Sequence, residues 1–223
     1  TWEYDPETNT WRQMDDFKGG ARYYALGFGI DNYGYVGTGY NDNYLKDFYR
    51  FDPTAAAGSQ WTIVNGFGGQ KRQGATAFVI DGKAYVCGGQ NNNSDVSDFW
   101  RFDSSAATPW TQLRDIANTS DDDYDDDYTS IVRSYGVSFV IDGKAYLTLG
   151  STAGGSYYSN YWIYDPETDL WKGDDLTAFE GSTRIHAVCF STGTRGIIAT
   201  GGSGSSSYFD DTWELKPYEY EEE

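Results

Sequence analysis

Four arginines, Arg22, Arg72, Arg133 and Arg184, each open a segment that closes on a glycine, at Gly39, Gly89, Gly150 and Gly201. A guanidinium is planar, permanently charged and rich in donors, so it can clamp a carboxylate, a phosphate or an acidic side chain through paired hydrogen bonds. In-phase arginines therefore read either as an anion-binding arc or as struts that hold carbonyls and carboxylates of neighbouring repeats. Carboxylates recur as well. Asp47, Asp98 and Asp211 share one phase, Asn160 takes their place in the remaining repeat, and Asp210 lies beside them. A general base would have to come from this set, yet its periodicity points to a structural role, capping the loops that precede it. The run Asp121–Asp127 holds six aspartates in seven residues. Asp121, Asp123 and Asp125 are the candidate calcium ligands, because hard oxygen donors suit that ion. The run lacks the Asp-x-Asp-x-Asp-Gly spacing of a defined calcium loop, so a solvated acidic insertion, open to a basic partner, is the favoured reading.

Much chemistry is excluded. The chain has one histidine, His186, inside a strand-like run and read as a core residue; this rules out two-histidine metal sites and leaves no base for a Ser-His-Asp arrangement. Cys87 and Cys189 sit in apolar runs of different repeats and read as buried thiols. No catalytic residue is nominated and no cofactor is expected. With 16 Lys plus Arg against 34 Asp plus Glu, the net charge of −18 repels nucleic acid and anionic membrane. No apolar run approaches the roughly 18 residues that a membrane span requires. The chain opens at Thr1 with nothing resembling a signal peptide, so its start reads as processed or cut.

The elements that must position these residues emerge when the chain is laid against itself. Arg22–Gly39, Arg72–Gly89, Arg133–Gly150 and, more diverged, Arg184–Gly201 align, with Phe28, Phe78, Phe139 and Phe190 in one phase. The turns Asp81-Gly82 and Asp142-Gly143 are strong hairpin signals joining an inner strand, a, to a second strand, b. Both strands read as apolar runs buried on two faces. A polar loop follows, then an aromatic strand c (DFYRFD, DFWRFD, NYWIYD, DTWELK), a short turn, and a strand d that opens on Trp11, Trp61, Trp110 or Trp171. All eight tryptophans fall in phase c or d, where large rings can fill the wedge between sheets radiating from an axis.

A b strand ending in Gly, an Asp-aromatic-aromatic strand and a Trp about ten residues on resemble the kelch repeat. The double glycine reads as Gly88-Gly89 and Gly201-Gly202, with departures at Thr38-Gly39 and Leu149-Gly150. The resemblance implies an all-β propeller of four-stranded antiparallel blades, usually six or seven. The WD-type propeller is excluded by the absence of its Gly-His and Trp-Asp dipeptides. Residues 1–14 supply strands c and d of a partial blade; 15–64, 65–113 and 114–176 are blades, the last with the acidic insertion; 177–223 is a blade lacking strand d. The seventeen strands fill neither four nor five blades. The expectation is a propeller lacking an N-terminal piece, six-bladed when complete. The alternative is a closed four-bladed ring in which the Trp11 strand completes the last blade.

In this strand order the b–c and d–a connections share one face, and the a–b and c–d turns share the other. The first face varies from repeat to repeat and carries Asn, Ser, Gly and Tyr, residues suited to adaptable recognition. Its candidate ligand contacts are Arg22, Arg72, Arg133 and Arg184 around the channel mouth, with Tyr44, Asn92, Tyr157 and Tyr208 on the b–c loops. Copper-radical oxidase chemistry, known on kelch scaffolds, needs histidines this chain lacks. The resemblance also implies an alternative, an epimerase or mutarotase acting on an acidic sugar held by the arginines. No BTB-type adaptor segment is present. The composition is similar to that of bacterial secreted or cell-surface kelch proteins. The favoured reading is a non-enzymatic module that binds a protein or glycan, extracytoplasmic, carried by a lipoprotein or secreted chain, within a larger surface complex.

Overall fold

The computed structural model describes residues 1–173 and 177–217. The terminal stretch from Tyr218, where the last repeat was read as stopping without its tryptophan strand, lies outside them, as do residues 174–176 at the boundary drawn between the last two repeats. Among the described residues the chain is strand and loop except for a three-residue 3-10 turn at Asp123–Asp125. None has a helix long and apolar enough to cross a membrane.

A leading hairpin, β1 (Trp2–Asp5) and β2 (Thr10–Gln13), precedes four blades. The first blade is β3 (Leu26–Ile30), β4 (Tyr33–Gly37), β5 (Phe48–Phe51) and β6 (Trp61–Val64). The second is β7 (Thr76–Ile80) and β8 (Lys83–Cys87), then a loop ribbon of β9 (Gln90–Asn91) and β10 (Ser94–Asp95), then β11 (Trp100–Phe102) and β12 (Trp110–Gln112). The third is β13 (Val137–Ile141), β14 (Lys144–Thr148), β15 (Trp162–Asp165) and β16 (Leu170–Lys172). The fourth holds β17 (Val188–Ser191), β18 (Gly196–Ala199), a ribbon of β19 (Gly202–Ser203) and β20 (Ser207–Tyr208), and β21 (Thr212–Leu215). Each blade is an antiparallel meander; the fourth sheet has three strands, β17-β18-β21. The propeller reading therefore holds. The closed four-bladed ring does not, because β2 pairs with β1 and not with β21.

The Asp-Gly turns form as their composition dictates. Asp81 and Gly82 have φ of 49° and 70°, and Asp142 and Gly143 have 47° and 74°, the left-handed pair that matches strand twist in a two-residue hairpin. The opposite turns, between c and d, are closed by Asp5, Asp52, Asp103 and Asp165, whose carboxylates accept the N–H two residues on at 2.9 to 3.0 Å. The Thr8, Thr54 and Ser105 hydroxyls, and the Lys144 ammonium at Asp165, hold these carboxyls below the usual carboxylate range. Lys83 and Lys144 reach across to Asp103 and Asp165 at 3.8 and 2.9 Å, so this face is bound up in its own turns.

The core lies between blades. Phe78, Tyr85 and Phe99 of the second blade pack on Tyr164 and Trp171 of the third, and Phe48 of the first meets Trp110 of the second at 4.7 Å. Trp110, Trp162 and Trp171 are buried in these clusters and Trp61 against Phe17 and Phe51, whereas Trp2 and Trp11 of the leading hairpin are exposed. Aromatic wedges of this size bury enough apolar area to set the spacing of the sheets.

On the variable face each a–b pair kinks and then resumes, at Tyr23↔Tyr40, Gln73↔Gln90, Ser134↔Ser151 and Ile185↔Gly202. The kink is made by left-handed residues: Tyr24, Gly74, Tyr135 and His186 before strand a, and Thr38-Gly39, Gly88-Gly89, Leu149-Gly150 and Thr200-Gly201 after strand b. The in-phase pair of the fourth repeat is thus Thr200-Gly201, which corrects the reading of Gly201-Gly202 as its double glycine. The second position is glycine in all four repeats. A Cβ at Gly39, Gly89, Gly150 or Gly201 would lie 2.9, 2.7, 2.6 or 2.9 Å from a carbonyl of the paired strand; the first position holds Thr38, Leu149 and Thr200 in three blades, but in the second a Cβ at Gly88 would collide with the Arg133 carbonyl.

Gly89→Ala is expected to destabilise the protein by about 2 kcal/mol or more in urea titration, since strain and collision add. Gly82→Ala, where a Cβ meets nothing within 4 Å, should cost only about 1 kcal/mol. Equal losses would show that the close approach at Gly89 is unimportant.

Candidate ligand-binding face

The four in-phase arginines lie beneath the variable face, each inside its own blade. Their Nε atoms donate to the carbonyls of Gly20, Gln70, Ile131 and Ser182 at 3.4, 3.0, 3.1 and 2.9 Å. Their Nη1 atoms donate to Thr38, Gly88, Leu149 and Thr200 carbonyls at 3.0, 3.1, 3.1 and 3.0 Å, at the end of strand b. The remaining donors meet the in-phase carboxylates at the start of strand c. Arg22 grips Asp47 at 2.7 and 3.0 Å, Arg184 grips Asp211 through both Nη atoms, and Arg72 pairs with Asp98. Phe17, Phe67 and Phe179 lie under the guanidiniums of Arg22, Arg72 and Arg184 at 5.1, 5.6 and 5.3 Å. The guanidiniums are buried. The ligand-contact expectation for Arg22, Arg72, Arg133 and Arg184 therefore gives way to a structural one, because no donor faces outward. The carboxylates predicted as loop caps are their partners.

The third blade departs from the pattern. Arg133 meets Asn160 Oδ1 at 3.1 Å in place of a carboxylate, and its guanidinium lies 4.7 Å over the Tyr158 ring. Burial without an anion pulls its pKa down to about 10. Asp211, by contrast, is held down at about 2 by hydrogen bonds from Arg184 and then from the Trp213 indole.

The acidic insertion gives no convergent cation site. Asp125, one of the three calcium candidates, turns inward and accepts from the Thr119 and Ser120 N–H groups and the Ser120 hydroxyl, each at 3.0 Å. No group of three metal-ligating side chains occurs among the described residues, and the candidate calcium ligands Asp121, Asp123 and Asp125 do not converge.

What the variable face does present is a continuous strip of rings. Tyr44 packs on Tyr40 at 5.1 Å, Tyr40 on Tyr23 at 5.5 Å, Tyr23 on Tyr24 at 4.9 Å, and Tyr24 on Tyr135 and His186 at 5.0 and 5.1 Å. Tyr135 and His186 close the channel mouth at 4.5 Å, and His186 stacks on Tyr24 with an interplanar angle of 11°. Tyr23 and Tyr24 are 54% and 42% exposed, enough ring surface for a ligand to cover. The Tyr135 hydroxyl accepts from Gln73 and Gln90 side-chain amides at 2.8 and 2.9 Å, which fixes its ring. The His186 imidazole is held below its ordinary pKa by desolvation, which keeps it neutral near neutral pH. His186 precedes β17 and stands exposed on this face, so its reading as a satisfied core residue is corrected.

Of the loop residues nominated from the sequence, Tyr44 and Asn92 come together. They line a cleft of about 250 Å3 between the first and second b–c loops, with Tyr40, Asp42, Asn43, Lys71 and Asn91. Tyr157 is engaged elsewhere, accepting the Gly204 N–H at 2.9 Å and so tying the third loop to the fourth. Tyr208 is 80% exposed and lines a cavity of about 450 Å3 on the fourth blade with Ile185, His186 and Phe209. Tyr23, Tyr24, Tyr40 and Tyr135 were not singled out. The available signal was the position two residues after each arginine, which holds Tyr24, Gly74, Tyr135 and His186.

Residues 71–108 match the family described as the Kelch motif. No curated protein is similar to the chain. A solved structure described as "Structure of YjhT" superposes with a TM-score of 0.68 at 19% identity, over 87% of this chain. The chain spans 63% of that structure's length, and the likeness concerns the fold.

Asn160→Asp is expected to stabilise the protein by about 1 kcal/mol at pH 7 by giving Arg133 its missing anion. An unchanged or lower urea midpoint would show that the asparagine is the better partner. For Asp211 the folded pKa is depressed, so its contribution is present above the unfolded value near 3.8 and lost as pH falls through about 2. The stability gap between wild type and Asp211→Asn should accordingly be full at pH 6 and close near pH 2; a gap constant with pH would contradict the ion pair.

Proposed function

From the premise that the chain is a kelch-type β-propeller, we propose that it is a recognition module whose aromatic strip, running from Tyr44 to His186, binds a neutral glycan. One observation carries this reading. Tyr24, Tyr135 and His186 hold left-handed backbone, with φ of 54°, 59° and 59°, at a position that Gly74 fills in the second blade. Left-handed backbone is strained for side chains of this size, by about 1 to 3 kcal/mol, and such strain concentrates at binding sites. Glycine would relieve it. The rings are retained at the cost of that strain, in mutual contact and open to solvent, which is the pattern of a surface kept for something outside the fold.

Ring faces stack on the apolar faces of sugars, and the asparagines, glutamine amides and tyrosine hydroxyls around them supply donors and acceptors for hydroxyl groups. An acidic sugar fits less well. The four arginines that would have held its carboxylate are engaged inside the blades, and a net charge of −18 repels an anion.

Tyr24→Gly and Tyr24→Ala separate binding from folding. Tyr24→Gly should leave thermal stability unchanged or raised, through relief of strain, while weakening binding of a neutral oligosaccharide selected on a glycan array by about tenfold or more. Tyr157→Phe should leave binding intact. Retained affinity in both Tyr24 variants, or anomeric turnover of the sugar by NMR, would overturn the reading, and enrichment of a protein with no array signal would redirect it to a polypeptide ligand.

A further inference from the structure

The second blade departs from the other three at the variable face, and its departures converge on one atom. Its kink pairs Gln73 with Gln90, where the others pair Tyr23 with Tyr40, Ser134 with Ser151 and Ile185 with Gly202. The two glutamine backbones exchange N–H···O bonds at 3.0 Å. Both side-chain amides then donate to the Tyr135 hydroxyl of the next blade, at 2.8 and 2.9 Å. Gly74 follows Gln73 and leaves room for the Tyr135 ring, which a Cβ there would approach to 2.5 Å. The Tyr135 N–H donates to the Gly74 carbonyl at 2.8 Å. Hydroxyl, ring and backbone of one tyrosine are thus all held by the neighbouring blade.

Anchoring alone does not require this much. One amide would fix a phenol oxygen; two fill its acceptor sites and leave the hydroxyl hydrogen as the only group it can still offer. Among the described residues nothing accepts that hydrogen. Burial raises the Tyr135 pKa against the lowering pull of the Gln90 and Gln73 amides, so the proton stays in place near neutral pH. The side chain is half-buried at the channel mouth, with the His186 and Tyr24 rings 4.5 and 5.0 Å from its own.

We propose that Tyr135 is the specificity-determining residue of the channel mouth, a donor of fixed direction that selects sugars presenting a hydroxyl oxygen as acceptor. The assignment rests on the glycan reading above and adds to it the sense of one hydrogen bond. A freely rotating tyrosine hydroxyl can donate or accept and discriminates little. One whose oxygen is saturated turns away any group that can only donate. The Tyr24 and His186 rings carry the apolar face of the sugar, and Tyr135 sets its orientation.

The test titrates methyl β-glucoside, methyl β-galactoside and their monodeoxy and monodeoxyfluoro derivatives against the whole chain by ligand-observed NMR. Fluorine accepts weakly and cannot donate; hydrogen does neither. At one ring position the deoxy sugar should bind about fivefold more weakly than the parent, while the deoxyfluoro sugar stays within about twofold. Tyr135→Phe should erase that split. Gln73→Leu combined with Gln90→Leu, which releases the hydroxyl, should weaken the parent and deoxyfluoro sugars and leave the deoxy sugar unchanged. Should Tyr135→Phe not fold, the wild-type series and the paired leucine variant decide in the same way. Equal losses for deoxy and deoxyfluoro sugars at every position, or a split that survives Tyr135→Phe, would overturn the assignment and leave the glycan reading standing. Absence of binding by every glycoside and every array sugar would remove both.

Discussion

Each blade is organised around a buried guanidinium. It reaches the segment before strand a, the end of strand b and the start of strand c, three stretches far apart in sequence that have to meet at one corner. No neutral side chain offers five donors in a fixed plane, and a lysine gathers its three donors on one atom instead of spreading them across a plane. Burying a charge is expensive, and the pairing with Asp47, Asp98 and Asp211 is what makes it tolerable. In the third blade Asn160 and carbonyls alone surround Arg133, so the charge there rests on dipoles and on the face of Tyr158.

The same corner decides what faces outward. Because the guanidinium takes the carbonyl of the first left-handed residue after strand b, the chain turns sharply and the b–c loop rises as a ribbon above the sheet. The approach to strand a turns with it. A left-handed residue in that approach directs its side chain to the channel mouth, where Tyr24, Tyr135 and His186 meet. Gly74 completes the ring because a Cβ there would lie 2.5 Å from the Tyr135 ring. A structural charge below and an aromatic strip above are thus consequences of one kink.

The two faces of the propeller differ for related reasons. Asp-Gly turns and aspartate-closed c–d turns satisfy their own polar groups locally and link to each other through Lys83 and Lys144. The opposite face satisfies its backbone through the arginines, which frees its loops to vary in length and composition without loss of the blade. The acidic insertion before the third blade shows this tolerance. It folds around Asp125 and its own backbone donors, and Tyr128 behind it accepts the Trp171 N–H at 2.7 Å.

Strand order, turn chemistry and the blade repeat were legible in the residues themselves, because they rest on local rules: apolar runs, left-handed Asp-Gly pairs and large rings at fixed phase. Periodicity also marked Arg22 and Asp47, and their counterparts, as two in-phase series. It could not say that each series was the partner of the other, since members of a pair lie 25 to 27 residues apart and meet only once the sheet forms. Nor could it separate Gly201 from Gly202, because both precede a loop, and only the ladder register selects the one beneath the Ile185 carbonyl. The aromatic strip was the least visible feature. Tyr44, Tyr40, Tyr23, Tyr24, Tyr135 and His186 come from three blades, and their rings become neighbours only when the kinks of those blades converge on one axis. The amino-acid sequence determined the repeating unit; tertiary structure alone decided which side chains it buries as charge and which it gathers at the channel mouth, because both depend on contacts between segments that share no local signal.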